Sequence, residues 1–276
     1  MQDQTIGLFN PSTRQWRIDN GNGGLDACAS APTTTQDACF SYGDPNNAYL
    51  PVTGDWDGNG SITVGVYRTN TSPQQFQLRN SNTSGAANIT LNTGPPSLGY
   101  QPVAGKWAGM AGKENVTKVG VFQSSNGNWY LDNGDFNAAG CSSGDICFNT
   151  AAWTRPGDRP IAGDWDGNGT VTVGVHRPSD SKFYLSNALP PTGVSVIIGG
   201  GPPEFGYLPI VADWTGRDFN NQTRTKIGVF RPSTGGWYLA TTANPTTCHT
   251  DLCYNGPFGG SGDLPVAFGA SVIRAN

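Results

Sequence analysis

Two nine-residue stretches carry oxygen side chains at alternate positions: Asp55-Trp56-Asp57-Gly58-Asn59-Gly60-Ser61-Ile62-Thr63 and Asp164-Trp165-Asp166-Gly167-Asn168-Gly169-Thr170-Val171-Thr172. Oxygen donors stand at the first, third and fifth positions. Glycine stands at the sixth, where the chain must turn sharply, and the seventh residue offers a carbonyl. A hard cation such as Ca²⁺ takes about six to eight oxygen ligands, and this alternation can wrap a short loop around one. The candidate ligands are therefore Asp55, Asp57, Asn59, Ser61 and Thr63, and Asp164, Asp166, Asn168, Thr170 and Thr172. Threonine at the ninth position brings no charge. Each loop then has two carboxylates, and calcium affinity is expected to be modest. A hairpin held only by Asx turns accounts for the same residues and stays open as an alternative. Two related stretches lack the pattern. Lys106 places an ammonium at the first position of one, where no metal is expected, and the stretch from Asp213 carries an insertion around Asp218.

Cysteine is the second source of chemistry. Six cysteines fall into close pairs, Cys28 with Cys39, Cys141 with Cys147, and Cys248 with Cys253. An even count suits three disulfides and an oxidising compartment. Count alone permits many pairings, and the repeat described below favours the local one. A cysteine metal site is the rival reading. It is weakened by the absence of CxxC spacing and by the presence of only two histidines, His176 and His249.

Catalytic constellations are poorly represented. There is no GxSxG nucleophile motif. His176 stands where Phe9, Tyr67, Phe122 and Phe230 stand in related phrases and is expected to pack between sheets, while His249 lies in a variable loop. Asp44, Asp158 and Asp263 recur in GDxP phrases and read as turn residues. Catalytic residues are usually singular, whereas the notable residues here recur. The expectation is a protein that is not an enzyme.

These residues sit on a repeat. The phrases IGLF at Ile6, VGVY at Val64, VGVF at Val119, VGVH at Val173 and IGVF at Ile227 are spaced by 58, 55, 54 and 54 residues. Each is followed by an aromatic-centred stretch, at Trp16, Phe76, Trp129, Phe183 and Trp237. Each of these units reads as four short strands joined by turns, and such units around an axis suit a β-propeller. The predicted fold is all-β, a single five-bladed propeller spanning residues 1–276. Blades are expected at about 49–99, 100–157, 158–206 and 207–262, and the closing blade at 263–276 plus 1–48. The chain begins at a second strand and ends after a first strand, so its two ends are expected to share that blade. An open solenoid would leave both half-units unpaired. Units with and without cysteine alternate, which points to duplication of a two-blade unit.

Composition narrows the class further. With 39 Gly, 20 Pro, two Glu and five Lys among 276 residues, helical bundles and coiled coils are excluded. Eight Trp, nine Tyr and twelve Phe suffice for a core. A net charge of −4 gives no electrostatic case for nucleic acid, and no apolar run is long enough to insert in a membrane as a helix. The start Met1-Gln2-Asp3-Gln4 lacks the basic and apolar segments of a secretory leader, so a secreted protein would be represented by its mature form. Seven Asn-x-Ser/Thr sequons occur, two of them at the candidate ligands Asn59 and Asn168.

The pattern PVxGDWDGNGxxTVGVxRPSxxxWYL resembles the FG-GAP/VCBS-type repeats of bacterial extracellular proteins, related to the propellers of integrin α-chains. The likeness covers nearly the whole chain. It implies a propeller whose DxDxNG loops hold calcium between the first two strands of a blade, and threonine at the ninth position departs from the family's acidic residue. It also implies an adhesion, ligand-binding or scaffold role, secreted or at the cell surface. A monomeric domain recognising a carbohydrate or an extracellular protein is expected, with a structural subunit of a surface assembly, or less favourably a secreted hydrolase, as alternatives. Aromatic faces could stack on sugars, but Trp16, Trp129 and Trp237 are expected to fill space between sheets. Arg68, Arg177 and Arg231 follow the repeated phrase and leave room for two or three equivalent sites.

Overall fold

Short strands broken by glycine and proline turns cannot build a core singly, so they stack as sheets. The computed structural model describes residues 5–21, 26–29, 36–45, 47–137, 141, 144–213, 224–240, 252–254 and 258–268. Among these the only helical segments are two 3₁₀ turns, Pro96–Leu98 and Pro203–Phe205. Blade I comprises Tyr49–Gly54, Thr63–Arg68, Gln75–Leu78 and Ile89–Asn92. Blade II comprises Tyr100–Gly105, Lys118–Gln123, Asn128–Leu131 and Ile146–Asn149. Blade III comprises Arg159–Gly163, Thr172–Arg177, Lys182–Leu185 and Val196–Gly199. Blade IV comprises Leu208–Ala212, Lys226–Arg231, Gly236–Leu239 and Leu252–Tyr254.

Blade V joins the two ends of the chain. Leu264–Phe268 pairs antiparallel with Thr5–Asn10, followed by Gln15–Ile18 and Gln36–Ser41. The first strands touch one another in the cyclic order I, II, III, IV, V and back to I. This closes the propeller and excludes the open solenoid. One detail differs from the expected four strands. Ala27–Ala29 adds to the outer edge of blade V in parallel, beside Gln36–Ser41. The Cys28–Cys39 disulfide ties these two segments together.

The repeated phrase is explained by packing. Its aromatic residue meets the aromatic of the third strand once per blade: Phe9 with Trp16, Tyr67 with Phe76, Phe122 with Trp129, His176 with Phe183, and Phe230 with Trp237, at 4.3 to 4.8 Å between ring centres. All ten rings are buried. Such pairs add about 0.5–1.5 kcal/mol each beyond area burial. The glycine inside the phrase makes room for a neighbour. A Cβ on Gly120, Gly174 or Gly228 would stand within 2.8 Å of Leu131, Leu185 or Leu239 from the third strand.

Each first strand is a sheet edge and carries a proline, at Pro51, Pro102, Pro160, Pro209 and Pro265. Proline offers no N–H and discourages further pairing there. These strands surround a central channel of about 210 Å³, whose lining has Thr53 as its one polar side chain. The meander leaves two rims. The lower rim bears the first-to-second and third-to-outer connections. The upper rim bears the second-to-third turns and the links between blades.

Candidate functional site

Both DWDGNG loops lie on the lower rim, in blades I and III. Each docks on the next blade through a two-bond clasp. The Asp55 N–H donates to Thr117 Oγ1 at 2.9 Å, and the Thr117 N–H returns to the Asp55 carbonyl at 2.7 Å. The Asp164 N–H donates to Thr225 Oγ1 at 3.0 Å, and the Thr225 N–H returns to the Asp164 carbonyl at 2.7 Å. Gly54 and Gly163 are required by this approach, because a Cβ on either would stand 2.6 Å from the clasping threonine.

Inside the loops the carboxylates are used differently. Asp164 Oδ1 accepts the N–H groups of Gly167 and Asn168, and its Oδ2 accepts that of Gly169. Asp166 accepts both the N–H and the amide of Asn168, and Asn168 Oδ1 accepts the Thr170 N–H. Asp55 is 1% exposed, and its Oδ2 accepts the Gly60 N–H at 3.1 Å and the Lys106 ammonium at 3.2 Å. Its Oδ1 is buried with no hydrogen-bond partner. Asp57 and Asn59 accept the N–H groups of Asn59 and Ser61. The Thr63 and Thr172 hydroxyls donate to the carbonyls of Gly54 and Gly163, so each serves the start of its strand. The orphaned oxygen of Asp55 and the all-oxygen donor sets are what a hard cation requires.

The altered loops of blades II and IV show a different solution. Lys118 and Lys226 occupy the register position of Thr63 and Thr172, opposite Gly105 and Ala212. Both are fully buried. The Lys118 ammonium donates to the carbonyls of Lys113 (2.8 Å) and Val116 (3.3 Å), and that of Lys226 sits on the Asp213 carboxylate. The chain supplies a tethered cation in these blades. Burial pushes the Lys118 ammonium below its ordinary pKa, opposed by the nearby Asp132 charge.

A further acidic group lies on the same rim in blade II. One carboxylate oxygen from each of Asp132, Asp135 and Asp145 lies within 4.8 Å of the others. Burial pushes the Asp132 carboxyl up to about 7; the Gly134 N–H opposes this, and the charges of Asp135 and Asp145 add to it. Sequence reasoning missed this group. Its signal was the phrase DNG before, and DxC at, the second cysteine: Asp19-Asn20-Gly21 with Asp37-Ala38-Cys39, and Asp132-Asn133-Gly134 with Asp145-Ile146-Cys147.

The structure places the remaining candidates. Cys28–Cys39 and Cys141–Cys147 are disulfides, so these cysteines are not metal ligands. Cys253 is disulfide-bonded, and Cys248 lies outside the described residues, as does His249. His176 is a core residue, 1% exposed, with both ring nitrogens lacking a partner. Burial lowers its pKa to about 4, and Arg159 adds to the effect. Trp16, Trp129 and Trp237 are 0% exposed and cannot meet a sugar. Asp158 and Asp263 accept the N–H three residues earlier, as turn residues do.

The three arginines after the repeated phrase are not equivalent. Arg177 is bidentate on Asp158, at 2.9 and 2.8 Å, and is buried. Arg68 bonds Thr71. Arg231 lies at the upper rim between blades III and IV, its guanidinium carbon 3.8 Å from the centre of the Phe205 ring. Its Nε donates to Ser233, and it pairs with no carboxylate among the described residues. Tyr207 meets both Phe205 and Tyr238 edge-on.

No protein-family model and no curated protein matches the chain. Among solved structures, a lectin of Agrocybe aegerita, described for its specific recognition of non-reducing terminal N-acetylglucosamine, is similar over 88% of this chain and 74% of its own, at 12% identity and a TM-score of 0.34. A likeness at that level carries no argument about ligand.

Proposed function

We propose that this propeller is a non-catalytic extracellular binding module for a carbohydrate. The observation that carries the reading is Arg231. Its planar donor fork lies against Phe205 at the rim, where Tyr207 meets the same ring edge-on, and no carboxylate among the described residues occupies it. Planar polar donors next to aromatic carbon match the alternating hydroxyl and C–H surface of a sugar. The central channel is smaller than the roughly 300–1,000 Å³ of ordinary ligand sites and lacks charged groups. The disulfides support an oxidising, extracellular setting. No helix among the described residues is long and apolar enough to cross a membrane.

Calcium belongs to this reading as a stabiliser of the lower rim. Asp55, Asp57 and Asn59 would hold one ion and Asp164, Asp166 and Asn168 another, with the backbone carbonyls of Ser61 and Thr170. The ion would tie each loop in place without touching the upper rim. A glycan array tests the main proposal. Binding that is lost in Arg231→Ala and Phe205→Ala, with unchanged melting, is the expected result. An array with no bound glycan would overturn the carbohydrate reading and favour a protein ligand.

A further inference from the structure

The third-to-outer hairpin of blade II gathers three carboxylates around one that is fully buried. Asp132 follows the strand Asn128–Leu131 and is 0% exposed. Its Oδ1 accepts the Gly134 N–H at 2.7 Å, while its Oδ2 is buried with no hydrogen-bond partner. A buried carboxylate oxygen without a donor is costly unless a positive charge meets it. Asp145 Oδ1 accepts the Asn133 N–H at 3.1 Å, and Asp135 accepts the Asn137 N–H at 3.0 Å. These bonds hold the two outer carboxylates beside Asp132.

The backbone under the group is fixed. The Trp107 indole N–H donates to the Asp132 carbonyl at 2.9 Å, and the Met110 N–H to that of Asn133 at 2.7 Å. The Cys141–Cys147 disulfide ties the outer strand that follows Asp145. A pre-held set of this kind needs little rearrangement to bind an ion.

Blade V offers an internal control. There the matching aspartate, Asp37, pairs with Arg17 at 3.2 Å. Arg17 stands opposite Cys39 in the sheet register, and the residue opposite Cys147 in blade II is Tyr130. Blade V therefore carries its own cation on the third strand, and blade II has none at that place. The Lys118 ammonium feels the Asp132 charge, but its hydrogen bonds go to the carbonyls of Lys113 and Val116. Asp132 thus keeps a buried carboxylate oxygen without a donor inside a group of three carboxylates, and an all-oxygen donor set selects a hard cation.

We propose that Asp132, Asp135 and Asp145 form a calcium site in blade II, separate from the DWDGNG loops. Calorimetric titration of the full chain with CaCl₂ tests it across wild type, Asp135→Asn/Asp145→Asn and Asp55→Asn/Asp164→Asn. The first variant is expected to bind one ion fewer than wild type, and the second to retain this site. Equal stoichiometry in wild type and Asp135→Asn/Asp145→Asn would overturn the proposal. So would an Asp55→Asn/Asp164→Asn protein that is folded and binds no calcium. If Asp55→Asn/Asp164→Asn binds as wild type does, the loop reading fails while this one stands. Tryptophan-sensitised terbium luminescence, read in the Asp55→Asn/Asp164→Asn background so that Trp56 and Trp165 report no loop-bound ion, is a second readout. It is expected to fall when Asp135→Asn is added, a change at the rim that spares the buried Asp132, and undiminished emission there would also overturn the site.

Discussion

The loops at Asp55 and Asp164 share the sequence DWDGNG and the same clasp to the next blade, yet their carboxylates have different company. Asp164 is surrounded by its own backbone N–H groups and meets no cation among the described residues. Asp55 holds the Lys106 ammonium on one oxygen and leaves the other bare. The residue that makes the difference lies 51 positions downstream, at the first position of the next blade's loop. In blade IV that position is Asp213, already paired with Lys226. A motif therefore specifies a loop's shape, and its neighbour across the blade seam sets its charge.

Acid gives the largest expected effect, and it acts through His176, which lies in the same blade as the Asp164 loop. Its folded pKa is lowered to about 4 from 6.5. The unfolded chain thus takes up this proton as pH falls below about 6.5, while the folded chain takes it up only near 4. The stability that comes from keeping His176 neutral is full above about pH 6.5 and is lost as pH falls toward 4, by about 3 kcal/mol. His176→Phe, which restores the aromatic found in the other four blades, should abolish this loss in denaturant melts between pH 4 and 7. An unchanged pH profile would contradict the buried-histidine assignment.

Calcium comes next. At about 100 times Kd each occupied site adds about 2.7 kcal/mol. Melting in EGTA and then in excess Ca²⁺ should show an upward shift, reduced in Asp55→Asn and in Asp164→Asn. A midpoint indifferent to the ion would remove calcium from both loops. The clasps give a smaller and more local effect. Thr117→Val and Thr225→Val each strand an aspartate N–H, at a cost of about 1–3 kcal/mol. The larger loss is expected for Thr117→Val, because the Asp55 N–H is buried and the Asp164 N–H only partly so. Equal losses would mean that the two clasps are energetically alike. The finest test is Lys106→Met. Freed of its ammonium, the Asp55 loop should bind calcium about tenfold more tightly, near 1.4 kcal/mol, with the Asp164 loop unaffected. Calorimetry that finds both affinities unchanged would show that Lys106 does not compete.

Much of the architecture was legible because the repeat writes it five times. The phrase from Ile6 to Phe9 and its four copies marks second strands, while the close approach that its glycine permits shows only in the packing. The aromatic partners at Trp16, Phe76, Trp129, Phe183 and Trp237 mark third strands. The acidic group at Asp132 was harder to see. Its aspartates sit in hairpins of unequal length, with cysteines 11 residues apart in blade V and 6 in blade II, so the eye follows the cysteines. The contribution of Arg17 in one blade and Tyr130 in the other becomes visible only in the sheet register.

By itself, then, the sequence determined the blade count, the strand order and the two ends sharing one blade, because these follow from local patterns of turn, alternation and ring size. Tertiary structure alone decided which charges meet. Lys106 reaches Asp55, Lys118 and Lys226 fill the altered loops, Arg177 is consumed by Asp158, and Arg231 is left at the rim. Those pairings run between blades or between loops of one blade, where closure of the ring and burial, rather than any local spacing, set the distances.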